Sequence, residues 1–323
     1  MMIFKRKVPQ APVEEVVVPD QLPEDMFTAA EQNSEELEYI ARSHHSALYD
    51  GWLRLRKNKA AVICAIVLLV ITLFAIFAPM CCEYTYYDTD YKAKLQAPTA
   101  EHPFGTDQFG RDQWARIWYG TRISLLIGLV AALLNLFIGV VYGAVSAMIG
   151  GRVDAVMQRI IEILVGVPHL IIVILFMMIL PPGVGTIVIA MSITGWVNMA
   201  RLVRAQILKL KNQEFVLAAR LLGTRGRKMI LKHLVPNTVS VIVIQIMFAI
   251  PSAIFTEAFL SFIGVGLAAP KASLGVLIND GYKMLRAAPY MLIFPAVAII
   301  LIMVCFSILG DGLRDALDPR MKH

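Results

Sequence analysis

The sequence lacks the short motifs that mark the common nucleotide-binding and hydrolytic sites. It contains no G-x-x-x-x-G-K-[ST] loop, the glycine-rich turn whose backbone amides bind phosphate groups. Neither the H-E-x-x-H pattern of zinc proteases nor the G-x-S-x-G pattern of serine hydrolases occurs. We therefore expect no catalytic residue, no metal site and no cofactor in this chain, and no ATP hydrolysis by the chain alone.

Charged residues are also scarce. Only 17% of the 323 residues are Asp, Glu, Lys or Arg, whereas 58% are hydrophobic and the mean hydropathy is +0.66. A soluble core of this size rarely has such a composition, so a membrane protein is indicated. The four cysteines show neither a disulfide framework nor a metal-ligand spacing, and we expect Cys81 and Cys82 to be unpaired thiols at a helix end.

The hydrophobic residues form long runs. A helix needs about 20 apolar residues to cross a bilayer, and six segments of the chain meet that requirement. They are Ala60–Met80, Ile123–Ile149, Ile160–Leu180, Thr186–Ala205, Val235–Ile263 and Pro289–Gly310. The prediction is an all-α membrane protein with six transmembrane helices.

The basic residues orient these spans. Arg54, Arg56, Lys57 and Lys59 precede the first span, which places the N-terminus in the cytoplasm by the positive-inside rule. Alternation then places the basic zone between residues 201 and 232 inside, together with the C-terminus. The net charge of +6 is explained by these flanking residues, so no nucleic-acid partner is predicted.

The zone between residues 201 and 232 is the most distinctive local feature. It holds nine Lys or Arg and a single acidic residue, Glu214. Within it, the stretch 212–223 is too short to cross a bilayer yet carries several apolar residues. Asn212 is expected to cap a short helix, Glu214 to lie in its first turn and Gly223 to end it. A capped helix with an apolar surface on the cytoplasmic side predicts docking into a groove of another protein.

Three ionisable residues lie in or near the spans. Glu162 falls near an inner end, His169 follows a proline that is expected to kink its helix, and Glu257 falls near an outer end where we expect partial hydration. Each is a candidate for a polar path through the membrane, and hydrogen bonding between helices is the competing interpretation. Gly139 and Gly143 are spaced for close helix packing.

Several segments together resemble a known family. Glu214, Ala218, Ala219 and Gly223, followed by HLVPN from His233, resemble the EAA signature of the membrane subunits of bacterial ATP-driven (ABC) importers. The signature helix reads EFVLAA rather than a compact EAA. From about residue 51 to the C-terminus, the chain is similar to the C-type permease subunit of oligopeptide, dipeptide and nickel importers. Further similar segments are LRKNKAAV from Leu55, HPFGTDQFGRD from His102, QRIIEILVGVPHL from Gln158 and TEAFLSFIGVG from Thr256.

The resemblance implies the type I ABC importer permease fold in a bacterial cell membrane, with both termini in the cytoplasm. It implies that the helix at 212–223 is a coupling helix seated in a cleft of a separate ATPase subunit. The implied partners are a homologous sister permease, two ATPase subunits that bind ATP and magnesium, an extracytoplasmic binding protein, membrane lipid and a peptide substrate. The implied coupling residues are Glu214, Phe215, Ala218, Ala219, Arg220 and Gly223.

Four regions follow from this interpretation. They are a cytoplasmic tail over residues 1–59, a first helix and outer loop over 60–120, the permease core over 121–312 and a cytoplasmic tail over 313–323. Two alternatives remain at this stage: a permease for nickel or another small solute, and a secondary transporter. A secondary transporter would show a repeat of broken helices and several coupled charges within its spans. An intramembrane enzyme is disfavoured because His169 has no evident catalytic partner.

Overall fold

The computed structural model describes residues 47–224 and 226–317. The predicted tail over residues 1–59 lies outside that description as far as residue 46, and the tail over 313–323 lies outside it from residue 318. Within the described ranges there is no strand, only an isolated bridge between Thr106 and Asp112. The α-helices there are α1 Ala47–Leu55, α2 Lys59–Cys81, α3 Gln113–Ile149, α4 Gly151–Val165, α5 His169–Ile179, α6 Val184–Gly195, α7 Val197–Leu210, α8 Glu214–Leu221, α9 Gly226–Met229, α10 Val239–Phe262, α11 Leu274–Lys283 and α12 Tyr290–Leu317.

Four helical runs are long and apolar enough to cross a membrane: α2, α3, α12 and the run Gly226–Phe262, which contains α9 and α10. The third and fourth predicted spans each form two helices instead of one. α4 and α5 meet at 78°, and α6 and α7 meet at 41°. If each bent pair is one span, the number is the predicted six. The kink predicted before His169 is confirmed, because α5 begins there, directly after Pro168.

The helices extend beyond the runs that hydropathy marks. α3 begins at Gln113 rather than near Ile123, because Asp112 caps it: the Ala115 amide donates to Asp112 Oδ2 at 2.7 Å. α12 continues to Leu317, into the segment predicted to be a tail, and α1 lies within the other predicted tail. Helical turns that lie outside the apolar run do not raise its hydropathy. Hydropathy alone therefore predicts helices that are too short.

α3 lies at the centre of the bundle and packs against α7 and α10. The close packing predicted for Gly139 and Gly143 is confirmed. A Cβ on Gly143 would lie 2.4 Å from the Ala200 carbonyl oxygen, and one on Gly139 would lie 2.6 Å from Met199 Cβ. The helix that these glycines admit is therefore α7 of the same chain.

The two ends of the bundle differ in chemistry. We call the end that carries α8 the basic end, and the end that carries residues 82–112 and 263–289 the loop end. At the loop end the buried Arg116 donates to the Tyr86 carbonyl at 3.2 Å and lies 3.5 Å from Asp280 Oδ2, while Asp107 accepts from Arg111 at 2.6 Å. Burial raises the pKa of the Asp280 carboxyl, and the guanidinium groups of Arg116 and Arg111 oppose that rise. These contacts fasten the long loop to α3 and α11.

Candidate functional site

A cavity of about 500 Å³ lies inside the bundle, among α3, α10 and the two broken spans. Apart from His169, none of the described residues that line it has an ionisable side chain. The wall nevertheless offers many hydrogen-bonding groups, because amide and hydroxyl side chains alternate with apolar ones. These polar lining residues are Asn135, His169, Thr194, Asn198, Gln245, Ser252 and Thr256.

The cavity lies beside the breaks between α4 and α5 and between α6 and α7. His169 is the first residue of α5 and Thr194 is near the end of α6, and His169 Nδ1 is hydrogen bonded to Thr194 Oγ1. Gly195 leaves room for the amide of Asn135, since a Cβ there would lie 2.4 Å from Asn135 Nδ2. Asn135 Oδ1 is buried and accepts no hydrogen bond from the described residues. A buried acceptor without a donor is unfavourable, so this oxygen is available to a molecule in the cavity.

Of the three ionisable candidates, only His169 lines the cavity. Glu162 is exposed and forms an ion pair with Arg159 on the same helix at 2.9 Å, and it does not line this cavity. The expectation of partial hydration at Glu257 is wrong, because its exposed fraction is 0%.

Glu257 is instead the centre of a buried hydrogen-bond network. Ser124 Oγ on α3 donates to Glu257 Oε2 at 2.8 Å, and Ser261 Oγ donates to Oε1 at 2.8 Å. The Leu274 amide, at the start of α11, donates to Ser124 Oγ at 3.2 Å, and the Ser273 hydroxyl lies 3.4 Å from that of Ser261. A buried carboxylate needs such donors. The network therefore ties α3, α10 and α11 together near the loop end.

The short helix predicted at 212–223 forms as α8, Glu214–Leu221. The predicted cap is wrong: Gln213, not Asn212, precedes the helix, and no side chain caps it. Glu214 lies in the first turn as predicted. Gly223 ends the helix with φ +83°; its amide donates to the Arg220 carbonyl at 2.9 Å, and the Thr224 amide donates to Ala219 at 2.9 Å. This pair of bonds is the Schellman motif, which favours glycine at this position.

α8 has one face packed on the bundle and one face bare. Val216 and Ala219 are buried against side chains of α3, α7 and α9. Ala219, one of the six implied coupling residues, therefore seats the helix and does not face outward. Glu214, Phe215, Ala218, Arg220 and Gly223 are exposed. The barest apolar side chains are Leu221 and Leu222, which are 89% and 87% exposed.

α7 joins this helix to the cavity. Asn198 and Met199 at its start line the cavity, whereas Lys211 at its end donates to the Ala147 and Met148 carbonyls of α3 at 3.2 and 3.5 Å. In between, Arg204 makes two bonds to Asp154 of α4, at 2.7 and 2.6 Å. Bidentate pairing fixes both position and orientation. α7 is therefore held against α3 and α4 along its length.

Two family descriptions match the chain. "Binding-protein-dependent transport system inner membrane component" matches residues 136–323, and "N-terminal TM domain of oligopeptide transport permease C" matches residues 46–98. The chain belongs to the first of these families. The resemblance inferred from the sequence is confirmed, and the protein is a multi-pass membrane permease subunit.

The permease is similar to characterised relatives over nearly its whole length. It is 48% identical to the oligopeptide transport system permease protein OppC of Bacillus subtilis (strain 168), over 93% of this chain and 99% of the relative. It is 44% identical to the dipeptide transport system permease protein DppC of the same strain, over 94% and 95%. OppC of Escherichia coli (strain K12) is 42% identical, over 90% and 96%.

Solved structures support the fold. Two chains from inward-facing conformations of the MetNI methionine ABC transporter superpose on the permease with TM-scores of 0.51 and 0.53, at 15% identity. They cover 62% and 63% of the permease, and 94% and 96% of their own lengths. The predicted type I importer fold is therefore confirmed.

Sequence reasoning missed several residues of the permease that the structure brings together. It considered only ionisable groups within the spans, so Asn135, Asn198 and Gln245 were passed over. Carboxamide side chains inside apolar runs could have indicated a polar site, because each needs a hydrogen-bond partner away from water. Leu221 and Leu222 were among the apolar residues that predicted the docking helix, but the sequence did not distinguish these exposed leucines from buried ones.

Proposed function

We propose that this permease forms half of the translocation path of an ATP-driven peptide importer and couples that path to ATPase subunits through α8. The observation that carries the proposal is a continuous series of elements: exposed leucines at the end of α8, the helix α7 held on α3 and α4 as a rod, and an uncharged polar cavity. Leu221 and Leu222 are the docking groups, α7 is the rod and Asn198 is where the rod meets the cavity.

The proposed orientation places the basic end in the cytoplasm. The zone of nine basic residues lies there, and the loop end with its mixed charges lies outside. The middle of α1 lies against the last residue of α12, since a Cβ on Gly51 would lie 2.4 Å from Leu317 Cδ2. This contact supports an arrangement with both ends of the described chain on one side of the membrane, as an even number of spans requires.

Motion passes to the cavity mechanically. At 1.5 Å per residue, the 14 residues of α7 span roughly 20 Å. When the ATPase subunits close, their cleft carries α8 with it, and the Arg204–Asp154 pair makes α4 follow. The breaks at Pro168 and Trp196 are where the broken spans bend in response. ATP and magnesium act in the partner subunits.

The cavity fits a peptide cargo. Carboxamide side chains both donate and accept hydrogen bonds, as the peptide backbone does, and they do so whatever side chains the cargo carries. The relatives named for oligopeptides and dipeptides support this cargo. A nickel ion would prefer several imidazole or thiolate ligands, and the cavity offers one histidine. The two broken spans are a feature shared with secondary transporters, but the family match supports the importer.

The complete importer requires a homologous sister permease for the other half of the path and a binding protein that delivers the peptide at the loop end. The cavity opens among helices of one chain only, and half a path does not enclose a peptide. We expect selection of the cargo to begin in the binding protein.

The test replaces Leu222 with Asp in the importer reconstituted with its sister permease, ATPases and binding protein. Burying an unpaired carboxylate in the ATPase cleft costs about 2 kcal/mol or more, so uptake should fall at least tenfold. ATP turnover should lose its stimulation by the loaded binding protein.

Leu222→Met is the matched control, because it keeps the apolar volume and should transport normally. Co-purification of the four components separates lost coupling from lost expression. If the Asp variant assembles and imports peptide at the normal rate, α8 is not the docking element.

A further inference from the structure

A groove runs along the outer surface of the bundle at the basic end, between α3 and the segment 226–242. Its volume is about 1010 Å³. Its wall is apolar over the residues Leu136–Ile149 of α3, where Phe137 is 70% exposed. Among the described residues of the wall, Arg227 is the only charged one. Nothing in the proposed coupling route uses this surface.

The groove extends along about two thirds of the hydrocarbon thickness and does not cross the whole membrane. The residues from Leu136 to Ile149 rise roughly 20 Å along α3, compared with a hydrocarbon core of about 30 Å for the whole bilayer. Farther along, α3 and α10 close on each other, since a Cβ on Gly128 would lie 2.5 Å from Ile254 Cγ1. A spanning helix of a partner would need a groove through both leaflets. An acyl chain needs only one.

The mouth of the groove is basic. It continues into a pocket of about 290 Å³ that shares Met148 and Gly226 with it and includes Arg220. Lys211 Nζ lies at the same place, 3.5 Å from the Met148 carbonyl oxygen. No acidic residue lines either pocket, and neither Arg220 nor Arg227 forms an ion pair within residues 47–224 and 226–317. Basic pockets between transmembrane helices on the cytoplasmic side favour anionic lipid headgroups.

We propose that the groove binds an anionic phospholipid, with an acyl chain along α3 and the headgroup phosphate between Arg220 and Arg227. The proposal rests on the orientation proposed above, which places the mouth at the cytoplasmic leaflet, but not on the cargo. The lipid lies against a wall that includes Ala144 and Ile242, which belong to the same apolar cluster as Val216 and Ala219 of α8. Occupancy therefore stabilises the seat of the coupling helix.

The test measures lipid retained by the purified, assembled importer from nanodiscs of equal phosphatidylglycerol and phosphatidylcholine, by native mass spectrometry. Phosphatidylglycerol should be retained preferentially. Arg227→Gln should weaken its retention about fivefold, since one basic side chain near the surface contributes about 1 kcal/mol. Lys228→Gln is the matched control: Lys228 is the exposed neighbour of Arg227 but lines neither pocket, so retention should not change.

A second pair of variants tests the acyl chain. Val141 lines the groove and Leu133, on the same helix, does not, although the two are similarly exposed at 49% and 46%. Val141→Trp should fill the groove and reduce retention, whereas Leu133→Trp should leave it unchanged. If Val141→Trp has no effect while Arg227→Gln does, only a surface phosphate contact exists and the groove proposal fails. Equal retention of the two lipids, or crosslinking of Val141→Cys to the sister permease, would also overturn it.

Discussion

Single residues show where burial decides a role that the sequence leaves open. Glu162 and Glu257 are both carboxylates in or near predicted spans, and nothing in the local sequence ranks one above the other. The structure places Glu162 at the surface beside Arg159 and encloses Glu257 among three serines from different parts of the chain. Ser124 is far from Glu257 in sequence, so only the folded chain reveals that they meet.

This contrast predicts unequal effects of the same truncation. Glu257→Ala leaves buried hydroxyl groups without their acceptor and should destabilise the permease by about 1–3 kcal/mol. Glu162→Ala removes an exposed ion pair and should change stability by less than about 1 kcal/mol. Thermal unfolding of the assembled importer in detergent measures both. Glu257→Gln, which retains one acceptor oxygen, should fall between them. Equal shifts for the two alanine variants would mean that the buried network contributes nothing.

Whole helices were predicted well in number and poorly in shape. The length of an apolar run is a local property, so hydropathy found each span. The angle between α4 and α5 depends on packing around Pro168, which hydropathy does not measure. α11 was missed altogether because it is amphipathic, with Leu274 and Leu277 buried and Tyr282 exposed. The small-residue face of α3 was predicted, whereas its partner, α7, could not be.

The packing of α3 on α7 predicts opposite results for two glycine substitutions. Gly143→Ala places a methyl group 2.4 Å from the Ala200 carbonyl and should destabilise the permease by about 1–3 kcal/mol. Gly185 lies in the first turn of α6 with open space around its missing Cβ, so Gly185→Ala should be neutral or slightly stabilising. Expression level and unfolding temperature give the comparison. A tolerated Gly143→Ala would show that the two helices are free to separate.

For the whole molecule, the number of spans and the basic zone between them could be predicted from the sequence. Each depends only on residues that are close together in the chain. The cavity could not be predicted from the sequence. Its lining comes from six helices, and residues as distant as Asn135 and Gln245 share one wall only after the bundle has formed. His169 was the one lining residue found in advance, because it is the ionisable residue of the set.

The six-span arrangement predicts that the basic end and the loop end lie on opposite sides of the membrane. Single cysteines at Lys228 and Lys271, both exposed, should react with a membrane-impermeant maleimide from opposite faces. The native cysteines must be replaced first, since Cys81 is exposed. Labelling from the same face would contradict the arrangement. Labelling from opposite faces with Lys228 outside would reverse the proposed orientation.

The uncharged wall of the cavity has an electrical consequence. A membrane potential of 100 mV does about 2.3 kcal/mol of work on each elementary charge that crosses. With His169 neutral, the side chains that line the cavity carry no formal charge through the field, so at this wall the voltage acts on the cargo. For the peptide cargo proposed above, a lysine-rich peptide would be drawn into a negatively polarised cell, whereas a glutamate-rich peptide would be held back. The proposed ATP-driven stroke would then deliver the two against unequal opposing forces.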